Sequence, residues 1–112
     1  MIEADIQKDI VLYLKLYQAK NNFLFFSVPN ERTNQKRTNY FKSIGMLSGV
    51  ADPVIIHGST VFFMEVKLPC GTLRKTQKEF QATCDLVGCE YEVVRSLDEA
   101  RIQLDKWEII KI

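Results

Sequence analysis

Two short apolar segments, Pro53 to Ile56 and Val61 to Met64, flank His57-Gly58-Ser59-Thr60. The pattern constrains the fold more than any other part of the chain. Val, Ile and Phe favour a pleated, half-buried surface, and a Gly-Ser pair between such runs marks a tight hairpin. If Gly58 and Ser59 are the two loop residues, His57 pairs with Thr60. The later pairs follow in step: Ile56 with Val61, Ile55 with Phe62, Val54 with Phe63, Pro53 with Met64. A four-residue loop from His57 to Thr60 keeps the same register, whereas an odd-length loop does not. In this register Asp52 falls opposite Glu65, with Cβ atoms roughly 4.5–5.5 Å apart. Like charges placed opposite each other destabilise a sheet, and a cation between them reverses the sign. Lys67 lies two residues beyond Glu65 and points to the same face of the strand. Two carboxylates and an ammonium on one face suit a hard metal, a water and a phosphate.

The rest of the chain supplies the elements to pack around such a hairpin. Ile6, Ile10, Leu14 and Tyr17 recur at spacings of three and four, predicting a helix from about Ile2 to Lys20, ended by Asn21-Asn22. Val11 widens its apolar stripe. Phe23 to Val28 is rich in strand formers and stops at Pro29. A polar, basic loop from Asn30 to Lys36 precedes a short helix between Arg37 and Leu47, ending near Gly45. A helix is expected from Lys75 to Val87, with Phe80, Cys84 and Val87 as its stripe and Gly88 as its cap. Thr76 with Glu79 has capping-box spacing, as does Ser96 with Glu99 ahead of a last helix reaching about Trp107. Glu90 to Val94 reads as a strand between these two helices. At 112 residues the chain has room for one domain and one core.

Composition narrows the function classes. Apolar content of 46% and charged content of 26% fit a globular protein. No apolar stretch approaches a bilayer span, and Met1-Ile-Glu-Ala-Asp lacks the basic start of a secretory signal. Cys70, Cys84 and Cys89 have no metal-ligand spacing and read as reduced thiols, which points to the cytoplasm. A net charge of +1 gives no bulk argument for nucleic-acid binding. Local clusters say more. Arg32, Lys36, Arg37 and Lys42 sit among Asn30, Asn34, Gln35 and Asn39, and Arg74, Lys75 and Lys78 form a second group. Both could meet phosphates, although either alone is better read as a solvated surface.

Taken together, the hairpin acids, Glu65-Val66-Lys67 and the element order resemble the PD-(D/E)XK nuclease superfamily, and within it a stand-alone VRR-NUC domain, the virus-type replication and repair nuclease module. The resemblance runs nearly the full length of the chain, 1–112 as a single such domain. Glu3 matches the acid that opens the first helix, with Gln7 one turn on. Pro29-Asn30-Glu31 matches the segment after the first strand, and Gly45 and Gly49-x-x-Asp52 match the glycine-led approach to a metal-binding Asp. Glu65-x-Lys67 is the signature. Gly71-x-Leu73-x-x-x-Gln77 matches the segment that carries a helix glutamine, and Glu90 to Ser96 with Leu97-Asp98-Glu99-Ala100 resembles the closing strand and helix. The chain departs from the pattern at Ala51, where the family usually has Pro; here Pro53 follows the Asp instead. Proline removes a strand N–H and belongs at strand starts, edges or bulges, so the backbone beside Asp52 is expected to differ locally.

The resemblance implies a restriction-endonuclease-like α/β fold, an αβββαβ core with a mixed central sheet flanked by helices. It implies a DNA endonuclease dependent on Mg2+ or Mn2+, acting on branched DNA such as a four-way junction or flap, encoded by a phage or mobile element and working in the cytoplasm of a bacterial host. The metal ligands would be Asp52, Glu65 and the backbone carbonyl of Val66. Lys67 would hold the attacking water or offset charge on the phosphate, with Glu3 and Gln77 completing the catalytic set; Gln77 would orient Lys67 or touch the phosphate. Asn30, Arg32, Lys36, Arg37, Lys42, Arg74 and Lys75 would contact DNA. A homodimer is expected because junction cleavage needs two coordinated cuts, with the Phe23 to Val28 strand and the Trp107 region available for its interface. The alternative from another class is a catalytically silent DNA-binding or assembly module on the same fold.

Overall fold

The hairpin forms on its two-residue loop. In a computed structural model, which describes residues 2–28 and 35–112 with the side chains of 35–38 excepted, β2 (Val54–His57) pairs antiparallel with β3 (Thr60–Val66). His57 pairs with Thr60 and Val54 with Phe63, the expected register. Gly58 has φ +62 and Ser59 has no positive φ, the combination a type II′ turn requires. Beyond the ladder, Met64 N–H donates to Pro53 O at 3.1 Å, carrying the same register one step further.

On one side of this hairpin lies β1 (Phe23–Phe26), antiparallel to β2, and on the other β4 (Glu90–Val94), parallel to β3, giving a mixed sheet in the order β1-β2-β3-β4. The element order is α1 (Glu3–Asn21), β1, α2 (Gln35–Ser43), β2, β3, α3 (Lys75–Val87), β4 and α4 (Leu97–Lys106). The α/β class and the αβββαβ core are therefore present, with α2 inserted after β1 and α4 appended. Strand β1 stops two residues short of the expected Val28. Phe26 pairs with Val54, the first ladder residue of β2, and the next position on that strand is Pro53, which has no N–H to offer Ser27.

Helices cover both faces of the sheet. Ile6, Ile10 and Leu14, the predicted stripe of α1, are buried with Ile55, Phe62, Met64 and Val66, and α4 adds Ala100 and Leu104. On the opposite face Phe80 and Cys84 of α3 pack with Phe63 and Tyr91, the Phe63 and Phe80 rings meeting edge to face at 5.0 Å. Asn22 (φ 50) ends α1 and Gly88 (φ 81) ends α3, both left-handed C-caps. Ser96 Oγ accepts from Glu99 N–H and caps α4 as expected. The proposed Thr76–Glu79 box does not form. Arg74 is the N-cap of α3, and the side chain that reaches back is Gln77, whose Oε1 accepts Arg74 N–H at 2.8 Å. Thr76 is already inside the first turn, so its hydroxyl is not at a capping position. Among the described residues no helix is long and apolar enough to cross a membrane.

Candidate active site

The C-terminal end of β3 and the N-termini of α1 and α3 enclose a cavity of about 420 Å³. Strand β3 and the residue after it deliver Glu65, Val66 and Lys67, α1 delivers Glu3 and Gln7, the segment before β2 delivers Asp52, and α3 with its N-cap delivers Gln77 and Arg74. The five residues of the expected catalytic set thus line one cavity, although they come from four separate parts of the chain. Two helix N-termini meet here, and their unsatisfied N–H groups and dipoles favour an anion.

Glu65 is the most constrained group in the cavity, being only 5% exposed. Its Oε1 accepts Gln77 Nε2 at 2.7 Å. Because Gln77 Oε1 is held by Arg74 N–H, the amide can present only its NH2 to Glu65. Gln77 therefore orients Glu65, and no Gln77–Lys67 hydrogen bond is seen among the described residues. Burial pushes the Glu65 carboxyl up to about 7 from its ordinary 4.5; Lys67 and the backbone N–H of Asp52 pull it down, and the charges of Glu3 and Asp52 push it up further.

Asp52 reaches the cavity by a different route from the one expected. The ladder of β2 begins at Val54, so Asp52 sits in a bend outside it and is not a paired strand residue facing Glu65. Its peptide bond to Pro53 is cis, and its backbone N–H favours the charged form of the Glu65 carboxyl. The local departure anticipated at Ala51-Asp52-Pro53 is real, and the two acids still share the cavity. Asp52 Oδ1 is buried with no hydrogen-bond partner. A buried carboxylate oxygen without a donor is costly, and a cation or a water would satisfy it. Among the described residues no three His, Cys, Asp or Glu side chains converge as a ligand set. A metal here would rest on Asp52, Glu65, a carbonyl such as that of Val66, and waters, the sparse oxygen set that suits magnesium.

Lys67 is buried, with Nζ 4.0 Å from Glu3 Oε2. Its backbone N–H donates to Val94 O at 3.0 Å, extending the parallel pairing past the end of β3. Three supporting residues escaped the sequence reading in this role. Gly49 (φ +82) lies so close to α3 that a Cβ would stand 2.2 Å from Thr76 O. That contact locks the approach to Asp52 onto the helix turn bearing Gln77. Arg95 Nη1 donates to Leu68 O at 2.8 Å and Gly71 O at 2.6 Å, pinning the loop between Lys67 and α3. Tyr91 stands behind Glu65 on the same sheet face, its hydroxyl buried without a partner; burial, then the Glu65 charge, pushes that phenol above its usual range. A Tyr on a strand with period-two alternation carries no signal that separates it from ordinary core.

The expected DNA contacts divide. Arg74 lines the cavity. Lys75 is solvent-exposed and 4.0 Å from Glu79, a weak surface pair. Lys42 is exposed in the last turn of α2. Asn30 and Arg32, with Glu31, lie outside the described residues, as do the side chains of Lys36 and Arg37. Trp107 is partly buried. It packs on the core with its ring 5.0 Å from Phe62. The three cysteines are free.

In comparisons with known proteins, no family model matches the chain. No curated protein matches it either.

Proposed function

We propose that the chain is a divalent-metal-dependent deoxyribonuclease, as its resemblance to VRR-NUC domains implies. The observation that carries this reading is the orphaned, buried Asp52 Oδ1 in the same cavity as Glu65 and Lys67. A resident Mg2+ or Mn2+ would supply an activated water at neutral pH and polarise the phosphate. Asp52, Glu65 and the Val66 carbonyl would hold it. Gln77 fixes the Glu65 carboxylate by holding its Oε1. Lys67, short of hydration and close to Glu3, directs its ammonium protons at the negative charge that builds on the phosphate oxygens. Arg74 and the α3 N-terminus hold the phosphate from the other side.

Branched DNA is the substrate we favour, cut by two chains acting together. Leu24 and Phe26 stand out from the edge strand β1, 54% and 45% exposed, beside half-buried Ile56 and Val61 on the same face. That apolar surface suits a second copy; a sedimentation mass of one 13.0 kDa chain at working concentration would count against it.

The test is incubation with four-way-junction, flap and nicked duplex DNA, with and without magnesium. Cleavage is expected only with the metal, and Lys67→Ala should abolish it while leaving DNA binding largely intact. Binding without cleavage, unaffected by Asp52→Ala, would replace the nuclease with a silent binding module.

A further inference from the structure

Beside the cavity runs a second depression, a groove of about 530 Å³ along the outer side of α1. Ala4, Lys8, Val11 and Lys15 line it, with Leu12 beside them and Ser27 closing it from the end of β1. Their spacing of four, three and four makes a stripe about a third of a turn around the helix from the core stripe of Ile6, Ile10 and Leu14. Gln7 lies between the two stripes and lines both the groove and the acidic cavity. The two depressions are therefore continuous across one side chain, which also donates to Ser27 Oγ at 3.5 Å.

The charge of the groove is one-sided. No acid lines it among the described residues. Among the described residues neither Lys8 nor Lys15 is in an ion pair. The residues three and four places from Lys15 on α1 are Val11, Leu12, Gln18 and Ala19, none of them acidic, and the one acid so placed from Lys8, Asp5, accepts Ile2 N–H at 2.9 Å. Leu12 is 65% exposed, so the apolar floor is open to a ligand. Seven helical residues separate the lysines, about 10 Å along the axis. That is about three nucleotides of a stacked strand.

We infer that this groove takes an unpaired polynucleotide strand leading out of the active cavity, with Lys8 and Lys15 on phosphates about three nucleotides apart and Ala4, Val11 and Leu12 against its sugars and bases. The inference rests on the nuclease reading for its direction but not for its binding. A lysine-rimmed groove opening onto the cavity favours this occupant over a protein partner, because the rim matches a line of negative charge and Gln7 joins groove to site. It also gives a flap or frayed junction arm a place on the enzyme that a fully paired duplex does not use.

The deciding experiment is fluorescence anisotropy with a labelled oligothymidine in EDTA, titrated at several salt concentrations, on the full chain. Each phosphate contact on a single strand contributes about 0.7 to the slope of log affinity against log salt. The Lys8→Gln, Lys15→Gln double variant should therefore lower that slope by about 1.4 and weaken binding at least tenfold at low salt. Leu12→Asp, at an exposed position, should weaken binding with the lysines intact. An unchanged slope and affinity in the lysine variant overturn the proposal. So does a Leu12→Asp chain that binds the strand normally but sediments as a smaller species, since the groove would then be a contact between copies. In magnesium, the lysine variant should lose cleavage of flaps while still cutting nicked duplex. Absence of all cleavage by the wild-type chain would refute the nuclease reading alone, because the metal-free slope decides the groove independently.

Discussion

Glu65→Gln should make the metal-free protein more stable at pH 8 and much less so at pH 5. In the folded chain the Glu65 carboxyl titrates at about 7 against an ordinary 4.5. Between those values the folded state holds a proton that the unfolded state has released. The unfolded state thus binds fewer protons, and stability falls as pH rises through the window, with the loss complete above pH 7. At 1.36 kcal/mol per unit, the whole shift corresponds to about 3 kcal/mol. Water entering the open cavity screens part of this, so about 2 kcal/mol is the expected loss. Glutamine keeps the shape of the side chain and a carbonyl oxygen to accept Gln77 Nε2, and it cannot ionise. The assay is urea unfolding in EDTA from pH 5 to 8, read as wild type minus variant so that other titrating groups cancel. The difference should fall by about 2 kcal/mol across the range. A flat difference, or one rising with pH, would refute the claim that burial dominates the environment of Glu65. If the proposed ion binds, adding magnesium at pH 8 should raise the stability of the wild type and not that of the variant, because the ion would replace the proton.

Other outcomes follow from the supporting contacts. Gly49→Ala places a Cβ against the Thr76 carbonyl at a positive φ, and should destabilise the chain by about 3 kcal/mol, seen as a lower urea midpoint. Gln77→Ala removes a buried partner from both Glu65 and Arg74 N–H; a loss of about 2 kcal/mol is expected in the same measurement. Arg95→Ala frees Leu68 O and Gly71 O, and hydrogen exchange should speed up in residues 68–74 before it does so in β3. Neutralising Arg32, Lys36 and Arg37 should weaken duplex binding and flatten its salt dependence; an unchanged slope would return that segment to ordinary solvated surface.

Much of the site was legible in the residues themselves, for reasons that differ from one residue to another. Glu65 and Lys67 follow from strand alternation once β3 is recognised. The register follows from the Gly-Ser turn, since a two-residue loop leaves no freedom in pairing. The boundaries of α3 and β4 were equally plain because Gly88 punctuates them. The Thr76–Glu79 box failed because capping spacing recurs by chance, and the competing Gln77 had a better partner in Arg74 N–H. Asp52 was expected beside Glu65 and lines the same cavity, but by a different geometry. The register was correct, but it places the residue only as far as the strand continues, and the ladder stops at Val54.

The amino-acid sequence by itself determined the elements, the hairpin pairing and the helix ends, because these depend on interactions between residues a few places apart. Only the tertiary structure decided what each polar side chain touches. Gln77 could have faced Lys67, a phosphate or solvent. It faces Glu65 because α3 packs on the sheet through Phe80 and Phe63, and because Gly49 lets its first turn come within reach. The ionisation of Glu65 is likewise a tertiary property, set by the burial that four separate segments impose on one carboxyl. The groove on α1 is the converse case. Its residues are plain in the sequence, yet nothing distinguishes them from a solvated helix face until folding sets Gln7 at the mouth of the acidic cavity.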